Sequence, residues 1–236
     1  MKIKKLISAL VLGSMLVGLS GCNITDFSAE NLLRPPKAVG DEAEIEQLIA
    51  KTADSGYTLK YPKNGKFRSA IIMTDLDGND SNEAVAFFRN SAETSSVHML
   101  VMYSKDNSWE IVSDNIFETT DIDSVDFADL TGNGKAEIIV NSTTYTPNVG
   151  KLSCYSYSEG KTNEVGSGQS CSSFVTGDFD NDGTSEIMSL VLYTTENEAL
   201  ASMLDYNEDS KSLYAKAMAN ICLLYTSPSP RDRSLS

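Results

Sequence analysis

The chain holds a single histidine, His98, a single tryptophan, Trp109, and four cysteines in 236 residues. This small stock of nitrogen and sulfur donors offers no zinc cluster and no Ser-His-Asp or Cys-His arrangement. No phosphate-binding glycine loop occurs either. Basic residues are scarce, with 19 Lys and Arg against 33 Asp and Glu and a formal net charge of −14. Lys2, Lys4, Lys5, Arg231 and Arg233 lie in the end segments, so the part between is more acidic still. Such a balance argues against nucleic acid and against electrostatic docking on an anionic membrane. It suits a cation-binding surface, and equally a solubilising acidic exterior.

Long apolar runs are also missing. The longest opens the chain: Met1 to Lys5 is basic, and Leu6 to Val17 is apolar but broken by Ser8, Gly13 and Ser14. It is too short to span a bilayer as a helix, and residues 1–21 read as a secretory signal. Leu19-Ser-Gly-Cys22 closes it and resembles the bacterial lipobox, whose cysteine becomes the lipidated first residue. The expectation is an exported lipoprotein anchored at the outer face of the membrane through Cys22, with residues 22–40 as tether. Pro35 and Pro36 keep that tether extended. At the other end, Cys222 to Asp232 resembles, codon for codon, a translation of the transposase adapter used in sequencing libraries. Residues 222–236 are therefore expected to be an artefact, and the natural protein to be longer.

Between these ends, Asp41-Glu-Ala-Glu44 has the form of a capping box, and Ile45, Leu48 and Ile49 share one helical face. A short helix is expected over 41–56, stopped by Ser55-Gly56 and packed on the main body. From Tyr57 to Ile221 the texture is that of strands bounded by polar turns. Segments 57–61, 68–74, 84–88, 97–103 and 109–112 read as strands, followed by 124–128, 138–140, 151–157, 173–176 and 187–193.

One loop recurs in this pattern. Its copies are Asp75-Leu-Asp-Gly-Asn-Asp-Ser-Asn-Glu83, Asp129-Leu-Thr-Gly-Asn-Gly-Lys-Ala-Glu137 and Asp178-Phe-Asp-Asn-Asp-Gly-Thr-Ser-Glu186. A period of about fifty residues, with four strands per unit, is the mark of a propeller blade. Oxygen donors at alternate positions of a tight loop converge on one point, as a hard cation such as calcium requires. An EF-hand is rejected, because position 12 is Ala86, Val140 and Ser189 rather than Glu. Position 6 calls for glycine, and Asp80 there must adopt a left-handed conformation.

The segment from about Arg68 to Ile221 resembles the FG-GAP/VCBS repeat family, the β-propeller repeats also found in integrin α-subunit head domains. The bacterial variety fits better, since no Phe-Gly…Gly-Ala-Pro segment is present and position 9 is Glu. The resemblance implies an all-β fold, a partial and open β-propeller of about three four-stranded blades. It implies structural Ca2+ held by side chains at positions 1, 3, 5 and 9 and a carbonyl at 7. Those are Asp75, Asp77, Asn79, Ser81 and Glu83 in the first loop. In the second they are Asp129, Thr131, Asn133, Lys135 and Glu137, and in the third Asp178, Asp180, Asp182, Thr184 and Glu186. Affinity is expected to rank third, first, second. Three blades fall short of the four to eight that close a propeller, so an open arc is expected.

Two cysteines remain, Cys154 and Cys171. Outside the cell they read either as a disulfide or as two buried free thiols. His98, within a strand, reads as a packed or edge histidine. With no catalytic constellation in view, the expected function is an extracellular calcium-binding module that engages a protein or glycan. The alternative is a surface carbohydrate-active hydrolase or lyase whose catalytic part lies outside this chain.

Overall fold

The computed structural model describes residues 40–53, 56–93, 95–106, 108–146, 148–158, 160–193 and 198–222. The signal segment, Cys22, nearly all of the tether and the tail after Cys222 lie outside the described residues.

Three antiparallel sheets make up the body, and each is one repeat unit. The first contains β1 (Tyr57–Leu59), β2 (Ile71–Thr74), β3 (Glu83–Asn90), β4 (Val97–Lys105) and β5 (Ser108–Phe117). The second contains β6 (Ile122–Ala128), β7 (Glu137–Thr143), β8 (Gly150–Ser158) and β9 (Lys161–Cys171). The third contains β10 (Ser173–Gly177), β11 (Glu186–Tyr193), β12 (Glu198–Asn207) and β13 (Ser212–Cys222). The fifth strand of the first sheet arises because β1 and β2 lie end to end along one edge of β3: Leu59 pairs with Phe88, and Ile71 with Ala86. The sheets are not closed into a barrel, so the arrangement is an open one of about three blades, as the repeat pattern implies.

Strand alternation decides which face packs where. On β3, Ala84, Ala86 and Phe88 face one cluster, while Val85 and Phe87 face another. On β7, Ile138 and Val140 join Val85 and Phe87 in a core between the first two blades. Ile139 turns to the opposite core, shared with Ile187, Leu204 and Leu213 of the third blade. Strands buried on both faces read as continuous apolar runs, which is why these segments were legible.

The helix α1 (Asp41–Thr52) covers the remaining face of the first blade. Ile45 and Ile49 are fully buried there, each contributing up to about 1.5–3 kcal/mol. The helix is shorter than expected, and its capping box does not form. Gly40 is the N-cap, with no side-chain cap. Glu44 instead reaches across to accept the backbone N–H of Trp109 at 3.0 Å, satisfying a donor on β5 rather than one in its own first turn.

Strands β9, β12 and β13 are not singled out by sequence. β9 is largely polar and contains Gly166 and Gly168, so neither alternation nor an apolar run marks it. In each blade the outermost strand carries a β-bulge at the same place. Ladder partners skip Val112 on β5, Val165 on β9 and Lys216 on β13.

Cys154 and Cys171 are buried free thiols. They lie on neighbouring strands but out of register: Cys154 pairs with Gly166, and Cys171 with Gly150. Four positions along a strand is about 13 Å, far beyond the reach of a disulfide.

Candidate metal centres

Each acidic loop joins the first two long strands of its blade, from β2 to β3, β6 to β7 and β10 to β11. A shared set of hydrogen bonds builds all three. The position-1 aspartate folds the loop around itself: Asp75 accepts the N–H groups of Gly78, Asn79 and Asp80 at 2.8, 3.2 and 2.9 Å. Asp129 accepts Asn133 and Gly134 at 3.1 and 2.8 Å, and Asp178 accepts Asp182 and Gly183, both at 3.1 Å. The position-5 side chain takes the N–H of position 7, as Asn79 with Ser81, Asn133 with Lys135 and Asp182 with Thr184. The position-9 glutamate takes the N–H of position 2 at 2.8 Å in every copy, pairing Glu83 with Leu76, Glu137 with Leu130 and Glu186 with Phe179.

This wrapping needs two left-handed residues. Asp80, Gly134 and Gly183 at position 6 have φ of 64°, 78° and 96°. Asp80 does adopt the conformation required of it, one that Asp tolerates better than most residues. Position 4 is left-handed as well, with Gly78 at 75°, Gly132 at 69° and Asn181 at 60°. Sequence reasoning missed that second site, although Gly, Gly and Asn at one register position were its signal.

The loops also interlock. Ala136 of the second donates its N–H to the carbonyl of Leu76 in the first at 3.0 Å, and Ser185 of the third donates to Asp129 of the second at 2.8 Å. A side chain on Gly132 would come within 2.6 Å of Thr184 Cγ2.

The glutamates are the unusual members. Glu83, Glu137 and Glu186 are 3%, 1% and 0% exposed. Burial pushes each carboxyl above its ordinary range, against the lowering effect of the backbone N–H that each accepts. Asp75 moves the other way: backbone N–H bonds outweigh its own desolvation and hold it below the usual range.

Position 3 decides what each loop can hold. In the first, Asp77 Oδ1 is buried without a hydrogen bond among the described residues, and Asp75, Asp77 and Glu83 offer oxygens within 4.8 Å of one another. In the third, Glu186 Oε1 is the buried oxygen without a partner among the described residues, and Asp178, Asp180, Asp182 and Glu186 form the corresponding group. The second loop has Thr131 at this place, and its hydroxyl donates to Glu137 Oε1 at 3.2 Å. A buried carboxylate oxygen with no donor is costly. The first and third loops are thus all-oxygen donor sets that fit a hard divalent cation, while the second satisfies itself.

His98 sits apart from these loops, buried on β4 and stacked on Phe88 at 4.8 Å. Its Nδ1 contacts Asp114 at 2.9 Å and its Nε2 contacts Glu93 at 3.1 Å. With both ring nitrogens facing carboxylates, neither is left to take a proton from a nucleophile. A polar cleft of about 500 Å³ opens elsewhere, lined in part by Asp123, Asn141, Thr144 and Leu192. Among the described residues, no helix is long and apolar enough to cross a membrane. No protein-family model and no curated protein matches the chain.

Proposed function

We propose that the chain is a calcium-stabilised array of FG-GAP/VCBS-type blades, tethered through a lipid on Cys22 to the outer face of a bacterial membrane. There it serves as a binding or scaffold module for an extracellular protein or glycan. The observation that carries the cation reading is the pair of buried carboxylate oxygens without a partner among the described residues, Asp77 Oδ1 and Glu186 Oε1, each inside a group of converging acids. A bound divalent ion supplies the positive charge that these oxygens lack. All-oxygen ligands on a partly exposed loop favour calcium over softer metals. Asp75, Asp77 and Glu83 would hold one ion, and Asp178, Asp180, Asp182 and Glu186 another. Because these loops interlock from blade to blade, the ion's role is structural.

Calorimetric titration of the chelator-treated protein tests this. Two calcium ions per chain are expected, falling to one when Asp77 is replaced by Ala. Absence of any binding heat would sink the reading.

A further inference from the structure

The bulge of the third blade departs from the pattern of the other two. Val112 and Val165 occupy that place in the first and second blades, and both pack into the cores those blades share with their successors. In the third blade the residue is Lys216. A bulge re-aims the side chain of its extra residue. Here the Lys216 ammonium donates to Asp180 Oδ2 and, at 2.8 Å, to Asp205 Oδ2. Asp180 is position 3 of the third loop and belongs to its group of converging carboxylates. Asp205 stands on β12, is 9% exposed and also accepts the hydroxyl of Tyr214 at 3.3 Å.

We propose that Lys216 is a built-in competitor for the third cation site. Its ammonium holds Asp180 while the site has no ion, and yields that carboxylate to an incoming calcium ion while remaining on Asp205. The proposal rests on the reading of the loops as calcium sites. That the third loop is built for a ligand has a sign independent of its acid count: Glu186 is fully buried beside these carboxylates, and its Oε1 has no partner among the described residues. A tethered cation on one ligand must be displaced before the ion is fully coordinated, so affinity falls below what four carboxylates would give. The ranking expected from the sequence, third above first, is thereby narrowed or reversed. Binding at this loop is also coupled to β13, the strand that carries Lys216.

The test uses the full chain carrying Asp77→Ala, which removes a ligand of the first loop so that calorimetry with calcium reads the third. Lys216→Met in that background is expected to tighten binding about tenfold, while Lys216→Arg, which keeps the charge, shifts it less than about threefold. In the chain without either change, an amine-reactive acylating reagent should label Lys216 faster in calcium than in chelator, as read by peptide mass spectrometry. An affinity unmoved by Lys216→Met, or a labelling rate indifferent to calcium, overturns the competitor role and leaves the calcium sites standing. Failure of the unaltered chain to bind calcium overturns both.

Discussion

The hydroxyl of Thr131 donates to Oε1 of Glu137 at 3.2 Å, whereas the matching oxygen of Glu186 in the third loop has no partner among the described residues. One side chain thus separates a self-satisfied loop from one whose acids could hold a metal ion. Replacing Thr131 with Val removes the hydroxyl and leaves a buried oxygen without a donor. The expected loss is about 1–3 kcal/mol, the same in calcium and in chelator. Urea denaturation under both conditions measures it, and a loss confined to the calcium condition would contradict this assignment.

Gly150 is constrained by packing rather than by its backbone angles. An added Cβ would lie 2.2 Å from Asn141 Oδ1 and 2.7 Å from the carbonyl of Ser142. Gly150→Ala must push apart the β7–β8 pair and is expected to cost about 1–3 kcal/mol. Chemical denaturation reads the change, and an unaltered midpoint would show that β8 can shift freely.

His98 gives the fold a pH dependence with a definite sign. Burial alone would lower its pKa, but the bonds to Asp114 and Glu93 outweigh burial and raise it above the ordinary value. The stabilising contribution is therefore complete below about pH 6.5, the unfolded value, and declines as pH rises through the higher folded value. Thermal melting from about pH 6 to about pH 9 should fall more steeply for the unaltered chain than for His98→Gln. Parallel curves would remove His98 from the explanation.

The two internal thiols are expected to be unreactive in the folded chain. Burial pushes the Cys171 thiol up to about 12 and raises that of Cys154 as well, so neither supplies thiolate at neutral pH. Alkylation mapped by peptide mass spectrometry should modify Cys154 and Cys171 only after denaturant is added. A Cys154–Cys171 disulfide in the purified protein would contradict the observed register.

Much of the fold and the centres of the sites could be read from the residues, for identifiable reasons. The loop copies share Asp at position 1 and Glu at position 9, and the apolar runs that follow, such as Ala84 to Phe88 and Ile138 to Val140, are buried on both faces. Partners distant in sequence were not legible. Glu44 forgoes its own helix for Trp109, which lies 65 residues away. Lys216 reaches Asp180 from 36 residues away through a bulge that no local pattern announces. The cysteines share an even count but not a register, which becomes visible only once β8 and β9 are paired.

The most direct measurement is thermal melting of the chain with saturating calcium and with chelator. A site that binds only the folded state adds about 2.7 kcal/mol when the ion is at a hundred times its Kd. Two such sites, in a body of this size, should raise Tm by roughly 10–20 °C. Asp178→Ala should remove about half of that shift, and Asp77→Ala should remove most of the rest. Identical melting curves in calcium and chelator would mean that the buried oxygens of Asp77 and Glu186 are met by something other than a cation, and the calcium-stabilised array would have to be abandoned.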